Sequence, residues 1–143
     1  MSASALYDEV IMDHIRDARN YRALEPPAVA AEATNPLCGD AFQVYVDLQG
    51  ERLAAVSFQC ECCGISMASA SMMTEAVQGR TRAQALALRD AFRHAVESGA
   101  ADAGDGSHPD HPAMLQFVRA TPARKGCVLL AWSALARALG AAA

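Results

Sequence analysis

The sequence predicts an α+β fold with helices packed on one face of a small antiparallel sheet, and three observations carry that prediction. Residues 4–18 are patterned at helical spacing, with Leu6, Val10, Ile11, His14 and Ile15 recurring on one side. Two runs around Gly50-Glu51 instead alternate residue by residue, the period of a half-covered strand. From Gly64 onward the period changes to that of helices, interrupted only by one Gly/Asp/Pro-rich stretch. Elements that are each apolar on one side bury those sides together, and the order helix, sheet, helices leads to one layer of helices over one sheet face.

Taken in order, the first helix carries Asp8 and Glu9 in its early turns, where acidic groups complement the helix dipole. Pro26 and Pro27 then break the pattern. "VAAEATNPLCGD" reads as a short edge strand followed by a loop, with Asn35-Pro36 and Gly39 marking the turn. In the next segment Phe42, Val44, Val46 and Leu48 face one way, and Gln43, Tyr45, Asp47 and Gln49 face the other. After the Gly50-Glu51 turn, Ala54, Val56 and Phe58 resume the apolar side, so the two segments form a β-hairpin with one covered face. "ISMASASMMTEAV" departs from the period of the hairpin, and Gly79 suits a helix C-cap. Its small residues (Ser66, Ala68, Ser69, Ala70, Ser71) suggest close packing on another element. Thr81 and Gln84 form a capping-box pattern for a helix through about Val96. "ESGAADAGDGSHPDHP" predicts a flexible insertion around 97–112, and residues 113–120 a short helix ending before Pro122. The last helix starts near Ala123, with Val128, Trp132, Leu135 and Leu139 as its buried stripe.

A length of 143 residues predicts a single domain over 1–143, and 52% apolar with 20% charged residues suits a globular chain. A net charge of −4 gives no electrostatic basis for nucleic-acid binding. No apolar run approaches the roughly 20 residues that span a bilayer. The N-terminal stretch lacks a cationic region followed by an apolar core, so the expectation is a cytoplasmic protein with no membrane association. Five cysteines, three of them inside positions 60–63, favour metal or thiol chemistry over a disulfide framework.

Four of the polar groups stand at predicted element boundaries. Cys38 lies in the "NPLCGD" loop with Asp40 two residues on, Cys63 lies where the second hairpin strand gives way to a helix, and Cys127 lies in the first turns of the final helix. Three thiols and one carboxylate are a plausible tetrahedral set for a soft metal such as Zn²⁺. Unpaired N–H groups at helix starts favour negative charge at Cys63 and Cys127, and Arg124 and Lys125 would add positive charge nearby. The alternative for Cys127 is a buried core cysteine.

"NPLCGD", "CGISMASASMMTEAVQG" and "PARKGCVLLAWSAL" together resemble the three cysteine blocks of the IscU/NifU N-domain superfamily of iron–sulfur cluster assembly proteins, and "LYDEVIMDHIRDARNYRAL" is similar to that family's opening helix. The resemblance covers nearly the whole chain. It is closest to the SufU branch, because Gly126 stands where the IscU branch usually has histidine and because a long segment separates Cys63 from Cys127. The resemblance implies a three-stranded antiparallel sheet with helices on one side, and zinc held by Cys38, Asp40, Cys63 and Cys127. It also implies a sulfurtransferase that accepts persulfide sulfur on Cys38 from a PLP-dependent, SufS-like cysteine desulfurase and passes it toward a downstream iron–sulfur assembly scaffold, with Arg124 beside the metal. The alternative the resemblance leaves is a scaffold that carries a nascent iron–sulfur cluster in place of zinc. A monomer is expected.

The chain departs from that family at Cys60-Glu61-Cys62-Cys63, where Gly-x-Gly-Cys is usual. Replacing a glycine that needed positive φ would cost about 1–2 kcal/mol. Cys60 and Cys62 either extend the apolar side of the hairpin as small hydrophobes or act as a spare ligand or resolving thiol near the metal. Of the remaining residues, His108 and His111 fall in the Gly/Asp-rich stretch and read as solvated, and His14 reads as a packed, satisfied histidine. His94 is expected to face solvent or a groove, Met67, Met72 and Met73 to pack, and Tyr7 and Ile11 are candidates for a partner surface.

Overall fold

A computed structural model describes residues 3–26, 28–35, 39–98 and 109–141, with side chains from residue 9 onward. The order is α1 (Ala3–Arg16), β1 (Val29–Asn35), β2 (Asp40–Gln49), β3 (Arg52–Glu61), α2 (Gly64–Val77), α3 (Arg82–Ser98), α4 (His111–Ala120), a 3₁₀ turn (Pro122–Arg124) and α5 (Lys125–Ala138). The strands form one antiparallel sheet in the order β1-β2-β3. This is the α+β arrangement that the change of hydrophobic period predicts.

Register follows from the alternation. Ala33, Phe42 and Cys60 stand in one cross-strand row, and Ala31, Val44 and Phe58 in the next. Phe42, Val44, Val46, Val56 and Phe58 are all buried on the covered face. A register shift between Asp47 and Leu48 lets Leu48 meet the fully buried Leu53 just before the Gly50-Glu51 turn. The free edge of β3 is partly covered by residues 20–22. Phe58 N–H donates to the Asn20 carbonyl at 3.1 Å, and Arg22 N–H donates to the Phe58 carbonyl at 3.0 Å. Tyr21 sets its ring edge-on to Phe58 and its hydroxyl donates to the Cys60 carbonyl at 3.1 Å. Covering an edge in this way removes a template for unwanted strand pairing.

Over the sheet, α5 buries Val128, Trp132 and Leu135, and Leu139 just past its end is buried with them, the stripe its period predicts. Helix α2 buries 10 of its 14 residues, which is why its pattern shows no polar face. Met72 and Met73 are fully buried in the core, and Met67 packs against it partly buried. Gly79 takes φ +84 just past the end of α2, the left-handed position that glycine occupies without a Cβ clash. The capping box that opens α3 is formed: Gln84 N–H donates to Thr81 Oγ1 at 3.2 Å, and Thr81 N–H donates to Gln84 Oε1 at 3.0 Å. At the end of α1, Asp13 accepts from Arg19 Nη2 at 2.7 Å, and that hydrogen bond and charge hold its carboxyl below the usual range.

Several expectations shift. The edge strand runs to seven residues, and α4 begins at His111, so the connection between α3 and α4 is shorter than the sequence suggests. Residues 99–108, which make up most of the expected insertion and include His108, lie outside the described residues. His111 is 1% exposed and stacks 4.4 Å from Phe92, beside Trp132. It is a core residue because helix α4 turns its first residue inward with Met114, Leu115 and Val118. Ile11 is likewise core, at 4% exposure, and is no surface contact; the Tyr7 side chain lies outside the described residues. His94 is exposed, as expected. Among the described residues no helix is long and apolar enough to cross a membrane.

Candidate metal centre

Three of the four predicted ligands meet at one end of the sheet. Asp40 opens β2, Cys63 is the N-cap of α2, and Cys127 is the third residue of α5. One ligand atom from each lies within 4.8 Å of the others. Tetrahedral thiolates bonded at about 2.3 Å to a common ion stand roughly 3.8 Å apart, so the set would need to contract only slightly around a metal. Cys38, the fourth predicted ligand, lies outside the described residues. It is two residues before Asp40, and Gly39 N–H donates to the Asn35 carbonyl at 2.8 Å.

The carboxylate of Asp40 is 4% exposed and is aimed by two donors. Cys63 N–H reaches Oδ1 at 3.1 Å and the Ser66 hydroxyl reaches Oδ2 at 2.5 Å. Burying a charge is costly unless donors replace water, and these two do so while leaving the carboxylate beside Cys63 Sγ, 3.7 Å from Oδ2. Ser66 Oγ also lies 3.3 Å from Cys63 Sγ, so one buried hydroxyl touches both groups. Arg124, from the 3₁₀ turn, donates from Nη1 to Cys63 Sγ at 3.8 Å. Lys125 does not join it; Lys125 lines a separate depression with Ala95, Leu115 and Val118.

A half-buried and a buried thiol converging with a carboxylate, with one guanidinium on their rim, form a donor set that fits a thiophilic divalent metal. Ser66 went unassigned by sequence reasoning, which read it as a small packing residue. The available signal was a hydroxyl three residues after a ligand at a helix start, the position whose side chain returns to the N-cap.

Gly126, immediately before Cys127, is in close approach to β1. A Cβ there would stand 3.0 Å from Asn35 Nδ2, so any side chain would require Asn35 to give way.

Cys60 and Cys62 are neither spare ligands nor merely apolar filling. They are bonded to each other as a disulfide, with Cα atoms 5.5 Å apart, and both also pack against the edge of the core. Among the described non-glycine residues only Asn20 has positive φ, so neither cysteine carries the backbone penalty that replacing a glycine could bring.

His14 is fully buried and satisfied, as predicted. Its Nδ1 lies 2.8 Å from Ser71 Oγ and its Nε2 lies 2.7 Å from Asp110 Oδ2. It stays apart from the metal set.

The family model of the NifU-like N-terminal domain matches residues 6–141 of this chain. The zinc-dependent sulfurtransferase SufU of Bacillus subtilis is 37% identical over 130 residues, covering 91% of this chain and 86% of its own length. The iron–sulfur cluster assembly scaffold protein IscU of Streptococcus pyogenes is 33% identical over 142 residues, covering 94% and 82%. The crystal structure of a candidate iron–sulfur assembly scaffold protein for the SUF system, from Fervidobacterium islandicum, superposes with a TM-score of 0.77 at 27% identity, covering 96% of this chain and 99% of that one.

Proposed function

The chain belongs to the NifU-like N-terminal domain family of iron–sulfur cluster assembly, and from that premise we propose that it is a zinc-dependent sulfurtransferase. One observation carries the choice over a cluster scaffold. Gly126 is packed against Asn35 at the position beside Cys127, and among the described residues the donor set gathers thiols and a carboxylate and no imidazole. The SufU relative, itself named a zinc-dependent sulfurtransferase, supports the same reading.

Zinc would be held by Cys38, Asp40, Cys63 and Cys127. Bound there, it would supply a fixed positive charge that keeps thiols ionised near neutral pH. Cys63 and Cys127 sit in the first turns of helices and suit a stationary role. Asp40, gripped by Ser66 and the Cys63 amide, fixes the direction of the third group. Arg124 offsets the negative charge of the cluster from its rim and acts as a positioning residue through Cys63.

Cys38 is the acceptor. Its thiolate attacks the outer sulfur of a persulfide on a PLP-dependent cysteine desulfurase. A new S–S bond forms on Cys38 as the persulfide S–S bond breaks, and the desulfurase thiolate leaves. One sulfane sulfur moves and no net electrons are exchanged. A downstream assembly scaffold then takes the sulfur.

The test joins metal content to sulfur transfer. Protein purified without added metal should carry one zinc per chain and no visible absorbance, and Cys38→Ser should stop labelled sulfur from reaching the chain. A brown protein with iron and sulfide would establish the scaffold instead. Transfer at the native rate in Cys38→Ser would remove Cys38 from the acceptor role.

A further inference from the structure

The disulfide between Cys60 and Cys62 is outside the metal set but leads directly into it. Cys60 is the penultimate residue of β3 and is pinned. Its backbone pairs opposite Phe42, its carbonyl accepts from the Tyr21 hydroxyl, and its N–H donates to the same hydroxyl at 3.3 Å. Cys62 belongs to the two-residue joint between β3 and α2, and the other residue of that joint is Cys63. The S–S bond therefore ties a fixed strand residue to the residue that precedes a candidate ligand.

The bond adds little as a staple. A ring that closes over one intervening residue removes little entropy from the unfolded chain. Both cysteines are also only half-buried, and Cys60 lines an open depression with Tyr21, Ala41, Phe42 and Glu61, so solutes can reach it. A disulfide that closes so small a ring, accessible and next to the joint carrying a candidate ligand, suits exchange better than support.

We propose that Cys60 and Cys62 are a second thiol site, a dithiol–disulfide couple that exchanges with low-molecular-weight thiols and disulfides, and that its state sets the freedom of the joint carrying Cys63. In the oxidising direction one thiolate attacks a small-molecule disulfide RSSR, forming a mixed disulfide and releasing RS⁻. The second thiolate then attacks the protein sulfur of that mixed disulfide and expels the second RS⁻. The pair loses two electrons and its two protons, and RSSR becomes two RSH. Reduction by two RSH runs the same steps backward. Oxidised, the joint is held at both of its residues, by the S–S bond at Cys62 and by the contacts of Cys63 with Asp40, Ser66, Met67 and Arg124. Reduced, the tie at Cys62 is gone and the joint is held at Cys63 alone. The inference holds whether the chain transfers sulfur or carries a cluster.

The purified chain, with the metal it carries, is equilibrated in mixtures of reduced and oxidised glutathione, acid-quenched and alkylated. The peptide containing Cys60 and Cys62 should pass from two alkyl groups to none as the mixture becomes oxidising. Cys62→Ser should trap a glutathione adduct on Cys60, and Cys60→Ser one on Cys62. Metal loss to a chromogenic chelator should be about tenfold faster in the reduced state, and Cys60→Ser/Cys62→Ser should lose metal at that faster rate in every mixture. A pair that alkylates fully in all mixtures, or in none, would overturn the couple. Equal rates of metal loss in the two states would overturn its link to Cys63. A chain without bound metal would count against the zinc reading, and the mass measurement alone would then decide the couple.

Discussion

Two buried polar clusters share helix α2, and they are built on opposite principles. Near its middle, Ser71 meets His14, which also holds Asp110. Here the roles interlock. With His14 neutral, Nε2–H donates to the Asp110 carboxylate and Nδ1 accepts from the Ser71 hydroxyl, whose oxygen in turn accepts from Arg19 N–H at 2.9 Å. At the helix start, Ser66 meets Asp40 and Cys63. There one carboxylate and two thiols crowd within 4.8 Å, with Arg124 as the cation in contact with Cys63 Sγ. The first cluster completes itself with protein groups and ties α1 to α2 and to the start of α4. The second gathers groups of like sign and is completed by a cation.

That contrast sets separable outcomes, and the largest falls on the second cluster. Asp40→Ala should lower zinc affinity by more than about 100-fold in chelator competition, beyond the usual range for changes outside the ligand set. The metal-free protein should change stability by less than about 1 kcal/mol, because losing a buried charge offsets two lost hydrogen bonds. Equal damage to stability and to metal binding would erase the distinction. His14→Ala should do the reverse. Opening a cavity and stranding Ser71 and Asp110 should cost about 3 kcal/mol in urea unfolding, with zinc affinity of the folded protein held within about threefold. Ser66→Ala sharpens the comparison most gently. It removes one hydroxyl and almost no volume, so zinc affinity should fall about tenfold while unfolding shifts by roughly 1–2 kcal/mol.

The elements themselves were legible because each announces its own period or cap. The alternation of Phe42, Val44 and Val46 fixed which face of the hairpin is covered, and Thr81 with Gln84 marked the start of α3 by a purely local exchange of hydrogen bonds. The candidate ligands were legible for a different reason. Thiols and a carboxylate placed at element boundaries, in blocks resembling those of a known family, declare their chemistry through residue type. Long-range partnership left no such trace. His111 was read as solvated because its neighbours in sequence are Asp and Pro, whereas its burial comes from Phe92 and Trp132, on two other helices. The serines of α2 were read as space-savers, yet Ser66, Ser69 and Ser71 each serve a different partner: Asp40, the Val128 carbonyl at 2.6 Å, and His14.

By itself, then, the sequence determined the α+β class, the order of elements and which groups are candidates for a metal, since periodicity, capping and ligand chemistry are properties of short stretches. Only the tertiary structure decided which hydroxyl aims Asp40, which acid holds His14 across a separation of 96 residues, and that Cys60 bonds Cys62 while Cys63 turns toward Asp40 and Cys127. Those outcomes depend on where the chain returns after a long excursion, and on which of three neighbouring thiols faces the converging helices.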